Sequence, residues 1–163
     1  MAMQYDVKSY HVTTSKTVTN YAVRLKSITV SPATASLRSS AVADPTVYKT
    51  GTYARLAAST TVTVTITAHG LTTGDRVFMD FTTGTAVDGV YAVTVTDANV
   101  FTVTTAANTA TSGAVTFYSS ILLELDTYNI IGLLVLIPGE GIYCKNGMFV
   151  GVGGSVTATV FYG

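Results

Sequence analysis

The chain has 163 residues, enough for one medium domain or two small ones, and its nine basic and nine acidic residues give a formal net charge of zero. No cluster of Lys or Arg is present, which argues against an electrostatic grip on nucleic acid, and no basic amphipathic helix points to a membrane surface. Charged residues make up 11% of the chain against a typical share of about 25%, and hydrophobic residues 48%, so a partner or further copies are expected to cover part of the surface.

The N-terminal Met1-Ala2-Met3-Gln4-Tyr5-Asp6 lacks a charged segment followed by an apolar one, so no secretory signal peptide is expected. In Tyr21 to Val30, Val23 and Leu25 share one phase while Ile28 and Val30 share the other; a β-bulge near Ser27 reconciles them. Strict alternation follows in Thr61-Val62-Thr63-Val64-Thr65-Ile66-Thr67, then in Val77, Met79 and Phe81, and then in Tyr91, Val93 and Val95. Phe101 and Val103, Val115 and Phe117, and the C-terminal Val156, Ala158, Val160 and Tyr162 repeat it. Each run reads as a half-buried antiparallel strand. The abundance of Thr and Val fits, because β-branched side chains suit a pleated sheet. No amphipathic helical period of useful length appears.

The breaks have turn chemistry: His69-Gly70, Thr73-Gly74-Asp75, Asp88-Gly89 and Asp97-Ala98-Asn99. Lys145-Asn146-Gly147 separates Ile142-Tyr143-Cys144 from Met148-Phe149-Val150, and Asn-Gly predicts a tight hairpin there. The apolar run Ile130 to Ile137 is expected either as a strand buried on both faces or as one that meets a partner chain. Ile121 to Pro138 is interrupted by Glu124, Asp126 and Asn129, whereas a membrane span needs about 20 nearly uncharged residues. The single Cys144 excludes an intrachain disulfide and fits synthesis in a reducing compartment.

Composition shifts twice. Residues 52–117 are dense in Thr, Ala and Val, with short strands and Gly-Asp turns; the strands on either side are longer and more aliphatic. Asp44-Pro45 and Ser119-Ser120 mark the borders. The expected architecture is all-β: a discontinuous antiparallel β-sandwich, jelly-roll-like, from residues 1–51 and 118–163, with a small β-barrel-like module inserted over 52–117. Insertion into a loop costs little when the module's ends lie close together.

Four blocks of the middle segment carry a resemblance: Ala68-His69-Gly70-Leu71, Gly74-Asp75-Arg76-Val77, Asp88-Gly89-Val90-Tyr91, and Asp97-Ala98-Asn99-Val100-Phe101-Thr102-Val103. Together they resemble a small β-module of phage tail and capsid-associated proteins that is similar to the first catalytic-cysteine half-domain of ubiquitin-activating enzymes. The enzymatic association does not carry over, because this segment has no cysteine and no phosphate-binding glycine loop accompanies it. The flanks resemble a family of short phage proteins through Arg24-Leu25-Lys26, Ile28-Thr29-Val30-Ser31-Pro32-Ala33-Thr34-Ala35, Leu122-Leu123-Glu124-Leu125-Asp126, Ile137-Pro138-Gly139-Glu140-Gly141-Ile142 and Val160-Phe161-Tyr162-Gly163. The resemblance implies a structural virion protein of a tailed bacteriophage, made in the host cytoplasm and bound to the major capsid protein or other virion proteins. The leading expectation is a capsid decoration (cement) protein; a tail or fibre accessory protein and a sugar-binding adhesion module are the alternatives.

Candidates for chemistry each have a simpler structural role. His69 could ligate a metal or act as a base, but a turn histidine bonding its own loop is expected, and His11 is weighed the same way. Asp75, Asp80, Asp88 and Asp97 are scattered, without the tight acidic loop of a calcium site, and are expected to bond their own backbone. Cys144 lies beside Lys145, yet its alternating strand predicts a buried or edge position rather than a nucleophile paired with a histidine. Glu124 and Asp126 share one strand face and read as its solvent side. The ten tyrosines are spread over the chain and are expected in cores and interfaces. No catalytic residue, cofactor or metal site is therefore assigned. Low charge and the run Ile130 to Ile137 predict a homo-oligomer, with a trimer as the first guess.

Overall fold

The computed structural model describes residues 6–32, 38–127, 132–154 and 156–163. Ala33 to Ala35, Asn129, Ile130 and Ile131 lie outside these. The described residues form sixteen strands. β1 (Lys8–Val12), β2 (Lys16–Thr19), β3 (Val23–Pro32) and β4 (Arg38–Ala43) come first. β5 (Tyr48–Arg55), β6 (Thr61–Thr65), β7 (Arg76–Asp80), β8 (Gly89–Ala92), β9 (Thr94–Val95), β10 (Val100–Thr104) and β11 (Thr111–Tyr118) follow. β12 (Ile121–Thr127), β13 (Leu133–Leu136), β14 (Ile142–Cys144), β15 (Met148–Gly151) and β16 (Val156–Tyr162) complete the chain. All the described strand pairs are antiparallel. No helix of the described residues is long and apolar enough to cross a membrane.

The chain divides into two compact units, residues 1–46 with 122–163, and Val47–Ile121. The first is a sandwich. One sheet has the order β1-β16-β3-β13, with β14 also paired to β3; the other has the order β12-β4-β15-β2. Alternation puts one face of each inside: Leu25, Ile28 and Val30 from β3 and Val156, Ala158 and Val160 from β16 meet Val42, Leu125, Met148 and Val150 in one core. Each of these Val, Leu, Ile and Met side chains contributes about 1.5–3 kcal/mol through burial.

The two phases of β3 are reconciled by a bulge, as the sequence predicts. Phe161 pairs with Ser27 and Tyr162 with Leu25, so Lys26 is the extra residue. On the other side β13 keeps one register past Ser27, with Leu136 facing Ser27 and the Ile137 N–H donating to Lys26 O at 3.0 Å, and β14 then pairs Ile142 with Leu25. One bulge thereby lets Leu25 and Ile28 both point inward.

Two expectations for this unit need correction. β14 and β15 do not form a hairpin, although Asn146-Gly147 lies between them: β14 pairs with β3 in one sheet, and β15 with β2 and β4 in the other. The type I′ hairpin turn that Asn-Gly favours needs positive φ at both central residues. Here only Gly147 has it, at 108°; Asn146 does not, and its amide instead donates to Asp44 Oδ2 at 2.7 Å. The turn carries the chain across the sandwich. The second correction concerns only the reading of the apolar run ending at Ile137 as a strand buried on both faces. Over its described part it is an alternating strand, with Leu133, Val135 and Ile137 packed on the core while Leu134 and Leu136 are 59% and 72% exposed.

The second unit is a single seven-stranded sheet of order β8-β7-β11-β5-β6-β10-β9. Its two terminal strands, β8 and β9, are separated in sequence by Val93 alone. Val93 is held by its N–H to Asp75 O and by its carbonyl from Gly74 N, both 2.9 Å. The chain thus steps from one end of the sheet to the other, which curls it into a nearly closed barrel. The interior is filled by Val62, Val64, Ile66, Val77, Met79, Phe101, Val103, Val115 and Phe117. Gly51 is required on β5, since a Cβ there would run into the Thr65 carbonyl oxygen and the Ile66 side chain. The strands set the limits of this unit: β5 starts at Tyr48 and its last pair joins Tyr48 to Tyr118. Just before it, Asp44 Oδ1 accepts the N–H of Thr46 at 2.8 Å, a turn that the Asp44-Pro45 border signals.

Candidate functional site

The four blocks of the barrel bring its polar side chains into its loops. His69 is only 4% exposed, in a turn where Ala68 and Gly70 have φ of 49° and 74°. Its Nδ1 accepts the Leu71 N–H at 3.0 Å. The ring hydrogen is therefore on Nε2, which donates to the Asp97 carbonyl at 2.8 Å. The ring packs edge-on against Phe101, with centroids 5.2 Å apart. Both nitrogens are occupied, so neither is presented to a metal or a substrate.

Around it, two turns distant in sequence clasp each other. Ala68 N–H donates to Asn99 Oδ1 at 2.8 Å, Ile66 N–H to Asn99 O at 2.8 Å, and His69 N–H to Ala98 O at 3.2 Å. Lys49 Nζ caps the Ala68 carbonyl. Asp97 Oδ1 accepts the N–H groups of Asn99 and Val100 at 2.7 and 2.9 Å, holding its own turn. Asp75 does the same for Thr72, whose N–H and hydroxyl it accepts at 2.8 and 3.0 Å; these bonds hold its carboxyl below the usual range. Each is a carboxylate turned onto backbone donors.

Asp88 differs. Its Oδ1 accepts the Phe81 N–H at 2.7 Å, but burial, with Asp80 nearby, pushes its carboxyl up to about 7 against the opposing effect of that bond. Burial also raises Asp80. Tyr118 is pushed up to about 12, first by burial and then by the charge of Asp80. Among the described residues no group of three or more His, Cys, Asp or Glu is arranged to hold a metal ion.

In the sandwich unit, His11 is exposed on the outer face of β1, its Nδ1 2.9 Å from Thr159 Oγ1. Cys144 lies fully buried on the inner side, and burial raises its thiol. The sheet separates the two. Glu124 and Asp126 share the face of β12 opposite Leu125. Tyrosines are dispersed: Tyr53 and Tyr162 are buried, Tyr21 is exposed, and Tyr143 is exposed beneath the Arg24 guanidinium at 5.2 Å.

Two polar anchors escape sequence reading. Asn99 works through its side chain on a residue 31 positions away. Arg55 is 3% exposed, with Nε on Thr109 O at 2.8 Å and Nη1 on Thr105 Oγ1 at 2.7 Å, pinning the loop before β11. Its signal is its phase, since it shares the inward face of β5 with Tyr53.

No family model matches the chain, and no curated protein matches it. Among solved structures, the phage phi92 endosialidase aligns over 81% of this chain at 20% identity, with a TM-score of 0.35. The chain corresponds to 20% of that protein's length, and the likeness is a loose one of backbone path.

Proposed function

We propose that the chain is a non-enzymatic structural protein of a tailed-phage particle, acting as a capsid decoration protein whose sandwich unit binds the shell and carries the barrel as a second module. The observation that supports it is how the motif residues are used. His69, Asp75, Asp97 and Asn99, four of the polar residues in the blocks that carry the resemblance, are spent on backbone groups of their own turn or of the turn clasped to it. A module whose signature residues hold loops in place is built as architecture, and the resemblance of the flanks supplies the particle.

A protein that binds the assembled shell adds its binding free energy to that state alone, so mass action favours the shell. With no net charge, its attachment should depend weakly on salt. The test is a stained gel of purified particles combined with a thermal-release assay. Copies approaching the major capsid protein in number, and genome release at a lower temperature in particles lacking the chain, are expected. Added protein should restore the release temperature. A few copies per particle, with infectivity lost but heat resistance unchanged, would instead favour a tail or fibre accessory protein; binding on a glycan array would favour adhesion.

A further inference from the structure

The edge strands of the sandwich are unequal. An open edge is a template for pairing with another chain, and proteins commonly guard it with charge. β1 carries Lys8, β2 carries Lys16, and β12 carries Glu124 and Asp126. β14 is flanked by Glu140 and Lys145. β13 has no such guard: from Gly132 to Pro138 no residue is charged, and among the described residues the strand ends its sheet, paired on one side with β3.

The backbone of β13 is presented in a definite phase. Ile137 N–H donates to Lys26 O at 3.0 Å, so Ile137 points its backbone groups at β3. Hydrogen bonding alternates along an antiparallel strand. Leu133 and Val135 therefore also bond toward β3, while the N–H and C=O of Leu134 and Leu136 point to the open edge. The same two residues expose their side chains, at 59% and 72%.

We infer that β13 pairs antiparallel with β13 of a second copy about a two-fold axis through Val135. That register places Leu134 opposite Leu136 of the partner, where each pair exchanges two backbone hydrogen bonds, and Val135 opposite itself in a non-hydrogen-bonded pair. The four leucines then gather as cross-strand neighbours on the outer face of one continuous sheet. A second copy fits because the strand is apolar throughout, so self-pairing sets no like charges against each other; a charged strand would be left with an uncompensated group. The contact is isologous and closes as a dimer rather than growing into a filament. One pair of four-residue strands is a small contact beside standard interfaces, which bury roughly 1,200–2,000 Å², so the dimer should dissociate on dilution. It does not depend on the chain being a particle protein.

The test uses the full chain. Light scattering across the micromolar range should give a concentration-dependent rise from 17.0 kDa to twice that mass. Leu134→Lys with Leu136→Lys, at positions already exposed, should keep the circular dichroism spectrum and stay monomeric. Val135→Cys should form an intermolecular disulfide on mild oxidation, since a non-hydrogen-bonded antiparallel pair brings the Cβ atoms into bridging range. The parent, whose Cys144 is buried, should not. A parent monomeric at every concentration, a three-fold mass, a dimer that survives the lysines, or a folded Val135→Cys variant that dimerises without cross-linking would each overturn the inference.

Discussion

Tyr48 and Tyr118 face each other across β5 and β11, with ring centroids 5.8 Å apart and planes inclined by 34°. One stands at the start of the inserted unit and the other near its end, so the chain enters and leaves through a single cross-strand pair. The gap to be bridged if the unit is removed is that between antiparallel neighbours, about 5 Å. Replacing residues 48–118 with a short Gly-Ser linker should leave a sandwich that melts cooperatively. Loss of the cooperative transition in calorimetry would show that the two units depend on one another to fold.

The clasp around His69 should be worth more than its parts. His69→Ala leaves the Leu71 N–H and the Asp97 carbonyl, both at a part-buried site, without their partner, at a cost of about 0.5–1.5 kcal/mol for each bond. Asn99→Ala removes the acceptor for Ala68 N–H. Both act on one pair of turns, so the double variant should depart from additivity by about 0.5–3 kcal/mol in denaturant unfolding. Additive effects would mean that the turns are held independently.

Asp88 makes stability depend on pH in an unusual direction. Its carboxyl titrates near 7 when folded and near 3.8 when unfolded, so between these values the unfolded state has already lost the proton that the folded state keeps. Its contribution falls as pH rises from about 4 to about 7 and is level above that. Asp88→Asn keeps an acceptor for Phe81 N–H without the charge. It should raise the Tm at pH 8, with the gain shrinking toward pH 5. An equal gain at both values would count against a buried, titrating Asp88.

Cys144 should be inert in the folded protein. It is fully buried, and burial raises its thiol, so the reactive thiolate is both scarce and shielded. A colourimetric thiol reagent should react only after unfolding in guanidinium. Rapid labelling of the native chain would contradict its place in the sandwich core.

Two glycines should differ although both have positive φ. At Gly147, φ is 108° and a Cβ would strike the Thr19 carbonyl oxygen; at Gly74, φ is 100° and nothing lies within 4 Å. Gly74→Ala should cost only the backbone strain, about 1–2 kcal/mol. Gly147→Ala should cost more, because backbone must also move. Equal losses of Tm would show that the turn after β14 is not packed against Thr19.

Periodicity by itself determined much of the strand content and which side chains face inward. Val62, Val64 and Ile66, or Val156, Ala158 and Val160, alternate with threonine, and a period of two leaves one face for the core. The phase change between Leu25 and Ile28 was enough to place a bulge within one residue of Lys26. The turn role of His69 was legible in its neighbours, but its bonding partner at Asp97 was not, because the closing of the barrel sets that pairing across 28 residues. Asn146-Gly147 reads as a chain reversal, yet nothing local says whether the next strand returns to the same sheet or crosses to the other. Only the tertiary structure decided this, by pairing β14 with β3 and β15 with β4, since the choice rests on which distant backbone offers matching hydrogen bonds.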